Sequence, residues 1–160
     1  MKTIMVTPTY ALDYERCKRL VNSVQRFVTG LDKHVLVIDS ADRRIFADLQ
    51  SDRVQLVTKE SCLESMLLRI PLQKKWWISG NTLPVRGWIL QQVVKLAYAY
   101  QSDADAIVYA DSDVVFVDNF DAHQLWQGNR LRCFRTDRRS HQYTDKRHAN
   151  WYEYGVKSLG

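Results

Sequence analysis

Residues 106–120 read AIVYADSDVVFVDNF, an apolar run interrupted by Asp111-Ser112-Asp113. Carboxylates are costly inside a core unless something pairs with them, so this pair belongs at an edge, on a cation, or both. In extended chain alternate side chains point the same way, so Asp111 and Asp113 are expected to converge on one ion. Carboxylate oxygens suit Mg²⁺ or Mn²⁺, ions that bridge protein carboxylates to substrate phosphates. The plainer reading of so short a motif is a pair of acids that caps a turn.

The surrounding pattern supplies the elements that must hold the pair. Thr3 to Thr7 (TIMVT) reads as a short apolar strand ended by Pro8. From Asp13, the residues Cys17, Leu20, Val21, Val24, Phe27 and Val28 recur at helical spacing, which predicts an amphipathic helix closed by Gly30. His34–Ile38 and Val54–Val57 read as buried strands, and residues 61–70 carry a weaker helical pattern. Residues 71–86, with Trp76, Trp77, Gly80 and Pro84, read as a loop. Trp88–Tyr100 is a strong helix that feeds a strand over Ala104–Ala110. Apolar strands alternating with helices predict an α/β fold, a mainly parallel sheet flanked by helices. Ligands of such sheets bind at the carboxyl edge, where Asp111 and Asp113 lie. Asp39, after another strand, and the turn Thr7-Pro8-Thr9-Tyr10 are placed to reach the same crevice.

Composition bounds the reading. A chain of 160 residues suits one domain, and no apolar run approaches the length of a membrane helix. The first residues lack the apolar core of a signal peptide. Cys17, Cys62 and Cys133 form no paired motif and read as reduced, mostly core-facing thiols of a cytoplasmic protein, with zinc binding disfavoured. The net charge of +5 is concentrated between Asn129 and His148, where seven Arg and Lys face two Asp. That segment suits an anionic partner: a phosphorylated ligand, a membrane surface touched peripherally, or nucleic acid. Aromatic residues are interleaved there, but no nucleic-acid recognition motif accompanies them, and no specific nucleic acid is expected. A solvated face is the alternative.

"VYADSDVVFV" resembles the D-x-D segment of metal-dependent, nucleotide-sugar-using glycosyltransferases of the GT-A fold. "VRGWILQQVVKLAYAY" followed by "DADAIVYADSDVVFVDNF" is similar to a family of bacterial glycosyltransferase-like proteins, the DUF6492 group. "HANWYEYGVKSLG" and the opening "VTPTYALDYERCKRLVNSV" fit the same family, so the resemblance covers most of the chain. It implies a GT-A, Rossmann-like fold, with residues 1–120 forming a nucleotide-sugar-binding unit and 121–160 the start of an acceptor half. Thr7, Thr9 and Tyr10 would then hold the nucleotide, and Asp39 its ribose or base. Asp113 would bind the cation directly, and Asp111 through water or by way of the ribose. Gly87-Trp88, Gln91-Gln92 and Lys95 make the match more specific than D-x-D alone.

Gln91 and Lys95 are i, i+4 neighbours beside Trp88, so Trp88, Gln91, Gln92 and Lys95 are candidate donor or phosphate contacts. A core Trp88 and a solvated Lys95 are the alternative. Arg86 would match diphosphate oxygens bidentately. Trp76 and Trp77 are candidates to stack on a base or sugar, against a packed loop. His141 and His148 are candidate metal or acid/base groups, against exposed loop histidines. The acceptor (saccharide, lipid or protein) and the catalytic base are unassigned. GT-A domains have two halves, and a chain stopping at Gly160 is expected to carry the donor half. Two other readings stand beside this one. A haloacid-dehalogenase-like phosphatase would use Asp111 as nucleophile and Asp113 as acid/base, although that motif usually opens its fold. A non-catalytic nucleotide-sugar-binding remnant is the other.

Overall fold

The inner strands of the central sheet, Thr3–Pro8 and Lys33–Ile38, are buried along nearly their whole length, the signature of strands covered on both faces. A computed structural model describes residues 1–63, 68–69, 77–78 and 87–132 of the chain. In chain order it contains β1 (Thr3–Pro8), α1 (Tyr14–Phe27), β2 (Val28–Thr29), β3 (Lys33–Ile38), α2 (Arg43–Phe46), β4 (Val54–Thr58) and α3 (Lys59–Leu63). Then follow β5 (Leu68–Arg69), β6 (Trp77–Ile78), α4 (Gly87–Gln101), β7 (Ala106–Tyr109), β8 (Phe120–Asp121), β9 (Trp126–Gln127) and β10 (Arg130–Leu131).

The central sheet has the order β4-β3-β1-β7 and is parallel throughout. Its registers pair Val6 with Val35 on one side and with Tyr109 on the other. Alternate residues divide between two cores. Ile4, Val6, Val35 and Val37 pack against Leu63 of α3 and Leu90, Val94 and Ala97 of α4. Met5 packs against Leu20 and Val24 of α1, while Leu36 and Ile38 meet Cys17, Val21 and the α2 residue Phe46. Helix α1 buries Cys17, Leu20, Val21 and Val24, the stripe that its spacing predicts. The protein is therefore α/β, with a parallel sheet between two helical layers, as the alternation of elements implies.

Two local expectations, a helical 61–70 and a loop over 71–86, are corrected. Within residues 61–70, where a helical pattern is expected, Ser61–Leu63 belong to α3 but Leu68–Arg69 pairs antiparallel with Trp77–Ile78, a strand inside the expected loop. Trp77 is buried in the α4-side core, so it packs rather than offering a stacking face. The apolar run after Asp113 is not core strand, since Val114, Val115 and Val117 are exposed and only Phe116 packs inward. A hydrogen bond from Phe116 N–H to Ser23 Oγ, at 3.0 Å, fixes this segment. Ser23 in turn donates to Leu20 C=O, which ties the segment to α1.

Candidate functional site

The sheet order places a topological switch point between β1 and β7. From β1 the chain moves through β3 to β4, then returns past α4 to the opposite side of β1. Helix α1 covers one face and α4 the other, and the carboxyl ends of β1 and β7 meet between them at this point. A cleft of about 160 Å³ lies there, lined by Pro8, Asp13, Arg16, Gln91, Asp111, Ser112 and Asp113.

Asp111 and Asp113 reach this cleft by a route different from the extended one. After Ala110, whose N–H bonds to Val6 C=O, the chain turns, and Val114 N–H donates to Asp111 C=O at 3.3 Å. The turn directs Ser112 inward, where it is buried, and leaves both flanking carboxylates exposed at the rim. Asp and Ser are favoured in such turns because their short polar side chains bond locally. Ser112 Oγ donates to Asp13 Oδ2 at 3.5 Å. Asp13 occupies the N-cap position of α1 without capping that helix through its side chain. Its carboxylate instead accepts from Ser112 and, at 3.2 Å, from the Arg16 guanidinium. Asp111 Oδ1 accepts from Lys95 Nζ at 2.9 Å. The Lys95 side chain is only 15% exposed against 69% for Asp111, and its ammonium lies 5.7 Å from the Tyr109 ring centre. Tyr109 O–H donates to Lys95 C=O, which pins α4 to β7 at this point.

Gln91, Lys95, Asp111 and Asp113 are thus brought together. Gln92 is half-buried one position along α4 and does not line the cleft. Thr7 is fully buried, and its hydroxyl lies 3.0 Å from His34 Nε2 beneath α1, so its side chain belongs to the core rather than the crevice. Thr9 is also buried, beside the Cys17 thiol, which burial pushes up to about 12. Tyr10 is exposed at the head of the connection to α1. Asp39 follows β3 as expected, but its carboxylate accepts from Ala41 N–H and caps residues Ser40–Asp42. It stands outside the cleft, near a broad depression over α2 lined by Ser40, Ala41, Arg43, Arg44 and Ala47. Arg86, Trp76, Cys133, His141, His148, most of the basic segment and the Trp88 side chain lie outside the described residues.

Sequence reading missed Asp13, Arg16 and Ser112 as partners of the motif. Asp13 and Ser112 are 99 positions apart, and only the β1–β7 pairing makes them neighbours. The available signal was positional: Asp13 opens the helix directly after the first strand, at the same sheet edge as the acids.

The donor set suits a hard divalent ion. Carboxylates from Asp13, Asp111 and Asp113 share one rim, facing the cations Arg16 and Lys95. Among the described residues no three His, Cys, Asp or Glu side chains are grouped tightly enough to enclose an ion. Mg²⁺ does not require such a cage; it is held by one or two carboxylates and completes its shell with water and substrate phosphates. Two acids on an open cleft meet that requirement. Among the described residues no helix is long and apolar enough to cross a membrane.

The family described as "Family of unknown function (DUF6492)" matches residues 3–160. No curated protein and no solved structure gives a match.

Proposed function

The chain belongs to the DUF6492 family, and we propose that it binds a nucleotide-diphosphate sugar through a divalent cation, as the donor-binding part of a glycosyltransferase. The observation that carries this reading is the convergence of Asp111, Asp113 and Asp13 with Gln91 and Arg16 in one cleft at the sheet's switch point. Mn²⁺ or Mg²⁺ bound there would act as Lewis acid and template, neutralising the diphosphate that leaves the anomeric carbon. Asp113, whose carboxylate stands at the exposed rim, is the direct ligand; Asp111 is the second, flanking it across Ser112. Arg16 supplies a planar donor fork that matches phosphate oxygens. Gln91 offers an amide to phosphate or ribose from the opposite wall. Arg86 and Trp88, which the sequence also offers as donor contacts, lie outside the described residues as side chains, and Gln92 is not among the cleft residues. The acceptor is a saccharide, lipid or protein hydroxyl. The basic sequence from Asn129 to His148 suits peripheral contact with an anionic membrane on the cytoplasmic side.

The test is a calorimetric titration with uridine, guanosine and adenosine diphosphates, with and without Mn²⁺. Binding of at least one of them is expected to require the metal and to be abolished by Asp113→Ala. Metal-independent binding, or none, contradicts the donor site. Hydrolysis of an aryl phosphate that disappears in Asp111→Ala would replace this reading with the phosphatase one.

A further inference from the structure

Lys95 already pairs with Asp111, one of the two carboxylates proposed to hold the divalent ion. Lys95 Nζ is 2.9 Å from Asp111 Oδ1, and its stem is largely buried along α4. Its ammonium also lies over the Tyr109 ring. Asp111 is mostly exposed while the Lys95 side chain is mostly covered. The Lys95 stem is thus covered along α4, and its ammonium tip meets the acid at the cleft. With Arg16 similarly paired to Asp13, both cations of the site neutralise carboxylates and Asp113 carries the remaining negative charge.

We infer that Lys95 is an internal counter-ion that occupies Asp111 in the empty cleft and transfers to the ligand's phosphate oxygens when a divalent ion takes Asp111. This deepens the donor-binding reading and rests on it. The exchange is balanced in charge. Asp111 releases an ammonium as it gains the metal, and the freed ammonium faces the anion that arrives with that metal. Two consequences follow. Cation binding by itself is weakened, because Lys95 competes for the same carboxylate. Cation and diphosphate binding reinforce each other, because the diphosphate receives the displaced lysine. A lysine suits this role, being a compact charge on a flexible four-carbon stem with three donors that re-aim easily.

The experiment measures Mn²⁺ alone by electron paramagnetic resonance of the free ion, then uridine and guanosine diphosphates at saturating Mn²⁺ by calorimetry. The proteins are wild type, Lys95→Met, Lys95→Gln and Lys95→Arg. In Lys95→Met, Mn²⁺ alone is expected to bind about fivefold tighter, the fold-change expected for loss of a strong, partly exposed ion pair. Diphosphate binding at saturating Mn²⁺ is expected to weaken by a similar factor, and Lys95→Arg to restore both. A lysine that only braced α4 would instead give unchanged or weaker Mn²⁺ binding on removal, and that result overturns the inference. Lys95→Gln, which keeps a polar tip of similar length, gives the same readout should the methionine variant fold poorly. Asp113-dependent Mn²⁺ binding that is indifferent to Lys95 defeats this inference alone. Failure of Mn²⁺ to bind wild type and Lys95→Met alike defeats the donor-binding reading as well.

Discussion

At the scale of single residues, the buried polar groups carry the clearest pH dependence. His34 is buried beneath α1 with Nε2 on Thr7 Oγ1, and burial lowers its pKa to about 4. An unfolded histidine titrates near 6.5, so between these values the unfolded chain binds a proton that the folded chain excludes. The stability contributed by neutral His34 is fully present above about pH 6.5 and is lost as pH falls toward 4. The full span is on the order of 3 kcal/mol. Urea unfolding midpoints should fall between pH 7.5 and pH 4.5, and His34→Gln should flatten that dependence even if it lowers stability at pH 7.5. An equal slope in both proteins would assign the effect to other groups. The motif residues illustrate what single-residue reading can and cannot reach. Asp111 and Asp113 were legible as exposed chemistry because acids inside apolar chain demand an explanation. A turn there was the plainer reading of the motif, but the contact that holds Ser112 inward on Asp13 was not legible, because it is set by distant sequence.

At the scale of elements, continuous apolar runs and the period of α1 identify β1, β3, β4, α1, α4 and β7 with boundaries close to those observed. The short elements were hidden for a physical reason. Two-residue strands such as β5 and β6 are defined by pairing rather than by local propensity, and Val114–Val117 has strand-like composition without a partner strand. Gly30 ends the helix region as expected, although α1 stops at Phe27 and Val28–Thr29 first pairs with β8. Its φ of +73° favours glycine, and a Cβ there would lie 2.6 Å from both Asp121 Oδ1 and His123 Nδ1. Gly128 has a similar φ of +61° with open space around it. Gly128→Ala should therefore cost about 1 kcal/mol from backbone strain alone. Gly30→Ala should cost a further 1–3 kcal/mol, roughly, for displacing the Asp121–His123 pair. Thermal melts of the two variants would show the difference, and equal losses would mean that the β2–β8 contact yields without strain.

At the scale of the whole molecule, the sheet order gives the site its location. Parallel strands with the return past β1 require the crevice to open where β1 and β7 end, and all three cleft carboxylates follow one of those two strands. The alternation of apolar strands and helices in the sequence implies a parallel α/β sheet, and the central sheet is parallel. Asp39, by contrast, follows β3, one strand away from the switch point, and serves as a cap. The wide depression over α2 has a larger volume, about 570 Å³, but is lined by Arg43 and Arg44 without any carboxylate, so it is no place for a cation. The central claim is that a divalent ion binds at the β1–β7 switch point. The most direct measurement is paramagnetic broadening of backbone amide resonances on titrating Mn²⁺ into isotopically labelled protein. Selective loss of the Asp13, Ser112 and Asp113 signals at low Mn²⁺, with Ala41 and Ala47 unaffected and the effect absent in Asp113→Ala, is the expected result. Broadening centred elsewhere, or spread evenly over the acidic surface, would contradict the account.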